Sequence, residues 1–132
     1  MTFVHADVSE QQPAVTIVIP AKNEAENIRP LINEIRAAMD GAFDYELIYV
    51  DDGSTDQTFN ILKTIRDEGF KRLTVISHQQ SVGQSFSVLN GARHGVGEWL
   101  VVLDADGQND PADIPRMLRA LQAAYAKKKK KG

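Results

Sequence analysis

No cysteine occurs among the 132 residues, which excludes disulfide scaffolds, thiolate metal centres and cysteine nucleophiles. Long apolar runs are missing too. Stretches such as Leu100 to Leu103 fall far short of the roughly 18 residues that cross a bilayer. The first residues carry neither a basic segment nor an apolar one, so no secretory signal is visible, and a cytoplasmic location is the expectation. Basic charge is scarce over most of the chain. Lys127 to Lys131 supply five of the fifteen Lys and Arg, so residues 1–126 hold ten against eighteen Asp and Glu, a net of −8 within an overall −3. A body that acidic is a poor holder of nucleic-acid backbone, and any phosphate it binds calls for a metal ion as intermediary. The remainder is ordinary globular composition, 42% apolar and 25% charged, of a length suited to one domain.

Residues 1–13 read as a flexible lead-in. Val15 to Ile19 is apolar at nearly every position and stops at Pro20, the pattern of a strand buried on both faces. A helix follows, with Pro30 in its first turn and Leu31, Ile32, Ile35 and Met39 as its apolar stripe. Tyr45 to Val50 is a second strand, Thr58 to Glu68 a helix closed by Gly69, and Leu73 to Ser77 a third strand. Gly83 to Arg93 reads as a helix with Phe86, Leu89 and Asn90 inward. Trp99 to Leu103 is a fourth strand, and Pro111 opens a last helix through Ile114, Met117, Leu118 and Leu121. This alternation predicts an α/β fold, a mostly parallel sheet of about four strands flanked by helices. Ligands of such sheets sit beyond the carboxyl ends of the strands. Three of those ends carry polar clusters.

The first cluster is Asp104-Ala105-Asp106-Gly107-Gln108. Residues two apart at a strand end project to one side, so both carboxylates can approach a single cation. Gln108 adds a carbonyl oxygen, and hard oxygens suit Mg²⁺ or Mn²⁺ with positions left for substrate phosphates. The pattern alone is equally compatible with a strand end followed by a helix cap at Asn109-Asp110. The second cluster is Asp51-Asp52-Gly53-Ser54-Thr55-Asp56. Ser54 or Asp56 is expected to cap the next helix. The adjacent pair Asp51 and Asp52 should repel and require a nearby donor or cation, a role open to a nucleobase N–H or ribose hydroxyls. In the third, Pro20 to Glu24, Glu24 can accept from ribose hydroxyls or serve in helix capping, and Lys22 faces phosphate or solvent.

Other side chains offer less. His5, His78 and His94 have no metal-ligand spacing, and neither Ser54 nor Ser85 has a histidine placed beside it by the sequence, so a nucleophilic triad is not expected. Trp99 reads as core. The lysine run reads as a disordered or added tail over 126–132, or as a contact for anionic membrane.

Residues 15–24 (VTIVIPAKNE), 50–56 (VDDGSTD) and 103–111 (LDADGQNDP) together resemble family-two glycosyltransferases of the GT-A fold. They are most similar to the dolichyl-phosphate mannosyltransferase group and its bacterial polyprenyl-phosphate relatives. The resemblance covers roughly residues 14–125, in order and spacing. It implies a Rossmann-like GT-A nucleotide-binding half. It implies that Pro20, Ala21, Glu24 and Asp52 line the nucleotide with Asp51 beside them. It also implies that Asp104 and Asp106 bind the metal with Gln108 as third ligand. Gly83-Gln84-Ser85 matches the stretch leading to that metal loop, and Lys22 stands where many members carry an aromatic residue.

The implied reaction is metal-dependent, inverting sugar transfer from a GDP- or UDP-linked donor to a polyprenyl or dolichyl phosphate at a membrane surface. The full-length protein would then sit peripherally at the inner face. A phosphate acceptor is already an oxyanion near neutrality, with a second pKa of about 6, so no general base is required of this chain and no catalytic residue is assigned. Family members are longer. The chain is therefore expected to be the donor-binding half, inactive alone and able to self-associate through apolar surface. Two alternatives stand beside this: a nucleotidyltransferase-like enzyme, although Pro20 to Glu24 is not a Gly-rich basic phosphate loop, and a non-catalytic nucleotide- or metal-binding module. A phospho-receiver fits poorly, because its acidic pair should follow the first strand. Sugar, base and oligomeric state stay open.

Overall fold

A computed structural model describes residues 1–6 and 12–131. In chain order the elements are β1 (Thr2–His5), β2 (Val15–Ala21), α1 (Ala25–Met39), β3 (Tyr45–Asp52) and α2 (Thr58–Asp67). They continue with β4 (Leu73–His78), α3 (Gln84–His94), β5 (Trp99–Val102) and α4 (Asp113–Lys131). One sheet runs in the order β1-β5-β2-β3-β4. Strands β5, β2, β3 and β4 are parallel, and β1 is antiparallel to β5.

The apolar run of β2 becomes the middle strand, buried at every position. One face of the sheet meets α1, α2 and α4, whose Ile28, Ile32, Ile35, Leu62, Ile65, Ile114 and Leu118 pack on Ile17, Ile19, Leu47, Tyr49 and Val101. The opposite face has Val18, Ile48 and Val50 beneath α3.

Four expectations need correction. The lead-in is not irregular throughout: Thr2–His5 pairs with β5, with Phe3 opposite Val101 and packed on the main core. The fifth strand therefore arises from a segment nearly a hundred residues distant from its partner, and the rest of the lead-in at 7–11 lies outside the described residues. The lysine run is not a disordered tail: α4 continues through Lys131. Lys128 to Lys130 in its last turn complement the negative helix terminus, and Gly132 lies outside the described residues.

The inward face of α3 is also different. Phe86 and Leu89 are 50% and 46% exposed, whereas Ser87 and Gly91 are buried. A Cβ on Gly91 would stand 2.6 Å from Val18 Cγ1 and 3.0 Å from Val50 Cγ2. The branched valines leave room only for a narrow Ser-Gly seam, spaced one helical turn apart. Pro30, expected in the first turn of α1, lies one turn further in. Among the described residues no helix is long and apolar enough to cross a membrane.

Overpacking this seam should cost stability. Gly91→Ala is expected to destabilise the chain by about 1–3 kcal/mol in urea unfolding, while Leu89→Ala stays within about 0.5 kcal/mol. Equal effects would show that the seam is not tight.

Candidate functional site

Parallel strands end together, so the loops after β2, β3 and β5 share one edge of the sheet. Between them lies a cleft of ≈ 370 Å³. Pro20, Ala21, Lys22 and Glu24 form one wall, and Asp104, Ala105 and Asp106 another. The remaining side is built from Asp52 together with Ser81, Gly83, Gln84 and Ser87 at the start of α3. Of the site residues expected from sequence, Pro20, Ala21, Glu24, Asp52, Asp104 and Asp106 thus come together. Asp51 and Gln108 do not line the cleft.

The loop after β2 is braced against the loop after β3. Asn23 adopts a left-handed φ of 55°, which short polar side chains tolerate. Its Oδ1 accepts the Thr55 N–H at 2.8 Å, and its own N–H donates to Ser54 Oγ at 2.9 Å. The Glu24 N–H donates to Thr58 Oγ1 at 3.0 Å and the Ala25 N–H to Asp56 Oδ2 at 3.3 Å. Asp56 also accepts the Thr58 N–H at the start of α2, and the Thr58 hydroxyl holds its carboxyl below the usual range. Glu24 takes a bond from the Asn27 side chain at 2.7 Å and its carboxylate caps no backbone N–H of α1, so it stands in the cleft without the expected capping role.

Asp51 and Asp52 lie within β3 itself, and alternation along a strand sends neighbours to opposite faces. The expected repulsion is thereby avoided, and each carboxylate finds donors in the protein. Asp51, 3% exposed, accepts the Ser54 N–H at 3.2 Å. Asp52, 5% exposed, accepts from His78 Nδ1 and the Val82 N–H on Oδ1, at 2.9 and 2.8 Å. Its Oδ2 accepts from Ser81 Oγ and the Gly83 N–H, at 2.8 and 3.0 Å. Burial works to raise the Asp52 pKa, but the bonds from Val82, His78, Ser81 and Gly83 outweigh it and hold the group well below the carboxylate range. Sequence reasoning reached Gly83, Gln84 and Ser85 by resemblance alone and missed Ser81, Val82 and the bonds that tie residues 81–83 to Asp52. Their only signals were Gly53 after the acidic pair and a histidine closing β4.

In the loop after β5, the Asp106 Oδ1 accepts the Gln108 N–H at 3.1 Å, and Asn109 Oδ1 accepts the Asp104 N–H at 3.2 Å. Asp110 Oδ1 accepts from the Ala112 N–H at 3.0 Å as the chain turns into α4. Asp104 and Asp106 offer hard oxygens on one cleft wall, a donor set that fits Mg²⁺ or Mn²⁺. Among the described residues no group of three His, Cys, Asp or Glu is placed to hold a metal, so two carboxylates leave most of a coordination shell to substrate oxygens. The described cleft lining carries one cation, Lys22, against Glu24, Asp52, Asp104 and Asp106. Polyphosphate entering alone would meet net repulsion.

A mostly parallel sheet flanked by helices, with an acidic cleft at the carboxyl edge of its strands, is the architecture of an α/β domain of GT-A type. The sequence profile of glycosyl transferase family 2 matches residues 16–127, and the chain belongs to that family. Relatives include the undecaprenyl-phosphate 4-deoxy-4-formamido-L-arabinose transferase of Edwardsiella ictaluri, 34% identical over 112 residues, 84% of this chain and 34% of that protein. The dodecaprenyl-phosphate galacturonate synthase of Rhizobium johnstonii is 37% identical over 114 residues, 85% of this chain and 33% of its own. The chain thus spans about one-third of the length of the curated relatives it matches. Among solved structures, mannosyltransferase PcManGT of Pyrobaculum calidifontis, in complex with GDP-Man and Mn²⁺, superposes with a TM-score of 0.68 at 25% identity. That match covers 86% of this chain and 33% of the other. TarS of S. aureus in complex with UDP gives 0.61 at 25% identity, covering 70% and 27%.

The Asp52 carboxyl predicts an acid response. Its folded pKa lies below the unfolded 3.8, so its stabilisation is complete above the unfolded value and is lost as pH falls toward the folded one. Asp52→Asn should cost about 1.5–3 kcal/mol at neutral pH, with the gap to the parent narrowing below pH 3.8. A gap constant from neutral pH to pH 3 in urea titrations would show that ionisation is not the source.

Proposed function

We propose that this chain is the sugar-donor-binding part of a metal-dependent, inverting glycosyltransferase that moves a sugar from a GDP- or UDP-linked donor to a polyprenyl phosphate. The observation that carries the reading is the cleft itself, in which Asp104 and Asp106 face the Pro20–Glu24 wall at the carboxyl edge of the sheet. The relatives named above are sugar transferases whose names carry polyprenyl phosphates, which supports the acceptor. The titles of PcManGT and TarS carry GDP-Man and UDP, which supports the donor.

In this reading Pro20, Ala21 and Glu24 contact the nucleotide, with Asp51 and Asp52 in the strand end behind them. Asp104 and Asp106, with Gln108 from the next turn, hold Mg²⁺ or Mn²⁺. When bound, the cation supplies charge compensation for the departing nucleoside diphosphate. Lys22 adds the one positive side chain in the described lining, within reach of phosphate oxygens. A phosphate acceptor enters as an oxyanion, so the chain's own residues orient and compensate charge and move no proton. Transfer requires an acceptor-binding part beyond these elements, and the chain alone binds nucleotide without turnover. The full-length protein works at a membrane surface. The Lys127–Lys131 run does not serve that approach. Tyr125 packs near His5 and Trp99, at the start of β5, so the lysines lie past the sheet edge opposite the cleft.

Calorimetry with GDP and UDP is expected to show binding about tenfold or more tighter with Mn²⁺ than without, corresponding to about 1.4 kcal/mol or more. Asp106→Ala should abolish that difference. Binding indifferent to both Mn²⁺ and the substitution would overturn the reading, and sugar transfer catalysed by the 132-residue chain alone would overturn its inactivity.

A further inference from the structure

The carboxylate of Asp52 has about four lone-pair directions, and the protein fills all four. His78 and the Val82 N–H take Oδ1, while Ser81 and the Gly83 N–H take Oδ2. No acceptor position is left for a base N–H or a ribose hydroxyl. The group lines the cleft, yet its bonding faces the protein.

A second tier stands behind it. His78 closes β4, and its Nε2 lies 2.9 Å from Asn90 Nδ2 on α3. With the amide donating to Nε2, the ring carries its proton on Nδ1 and donates to Asp52. One chain of bonds therefore links β3, β4 and α3. A separate contact closes the same junction: a Cβ on Gly53 would stand 2.5 Å from the Ser81 nitrogen, so the backbones of the two loops touch directly. The Val82 and Gly83 amides precede α3 and would otherwise be without helical acceptors. Their place in the cleft wall is set from the Asp52 side.

We propose that Asp52 is a positioning residue: with His78 and Asn90 behind it, it fixes residues 81–83 and the start of α3 as one wall of the cleft, and makes no bond to the nucleotide. The inference rests on the donor-binding reading for its ligand, but the lock exists in the free chain and is measurable there.

Amide hydrogen exchange by NMR on the nucleotide-free chain tests the lock directly. Asp52→Asn replaces an acceptor oxygen with a donor facing occupied donors. It should speed exchange at Val82 and Gly83 by about tenfold or more, the loss of one charge-assisted bond, and weaken Mn²⁺-dependent GDP or UDP binding in parallel. His78→Ala, at a residue that stands behind Asp52 and does not itself line the cleft, should do both to a smaller extent. His78→Asn, whose amide N–H stands near the Nδ1 position, should restore both. Unchanged exchange at Val82 and Gly83 in Asp52→Asn would overturn the proposal. So would His78→Ala that loosens the loop yet keeps parental affinity while Asp52→Asn loses it, since Asp52 would then be touching the ligand. If Asp52→Asn does not fold, the His78 pair of variants decides alone: parallel changes with rescue support positioning, and no change in either readout overturns it. A parent chain that binds neither nucleotide refutes the donor-binding reading, while the exchange rates still decide the lock.

Discussion

A strand buried on both faces can place charge only at its ends, and β2 imposes that constraint on the whole molecule. Its side chains from Val15 to Ala21 are all sealed, between helices on one face and α3 on the other. The strands beside it are parallel to it, so their carboxyl ends arrive at the same edge. Carboxylates, amides and the left-handed Asn23 gather there because burial leaves the interior no place for unpaired charge. The cleft is a by-product of how the sheet is wound, and its acidity follows from which residues terminate β3 and β5.

The face under α3 obeys a tighter version of the same rule. Val18 and Val50 fill the space that a larger helix residue would need, so α3 approaches through Ser87 and Gly91 alone. A helix seated that closely has little freedom to shift. Its start is fixed again by Asp52, which faces it from the end of β3. Sheet packing and site geometry are thus one structural problem. The residues that set the height of α3 over the sheet also set where Gly83 and Gln84 stand in the cleft.

Local pattern made most of this legible. The continuous apolar run of β2, the helical stripes of α1 and α2 and the Asp104–Asp106 spacing all depend on near neighbours, and each was readable from residue order. The arrangement of β1 was not, because four residues with an alternating pattern find their partner only through the distant edge of β5. The facing of α3 is hidden for a related reason. Helical periodicity offers two phases, one through Phe86 and Leu89 and one through Ser87 and Gly91. Bulk favours the first, and only the valines of the sheet select the second. Residue order alone makes Asp51 and Asp52 a loop pair in mutual repulsion, whereas β3 extends through both and its pleat separates them onto opposite faces. The bonds from His78 and the 81–83 loop close over about thirty residues, and no local rule contains them.

The extension of α4 carries the lysine run away from the cleft. Lys127 to Lys131 are the last residues of a helix that begins at Asp113, after the Asp104–Asp106 loop, and its 19 residues span about 28 Å. The run therefore leaves the molecule past the sheet edge where Tyr125 meets His5 and Trp99. Clustered lysines are drawn to anionic surfaces, and a chain docked by this end holds its cleft turned away from the surface. Whatever presents the cleft to such a surface has to act from elsewhere.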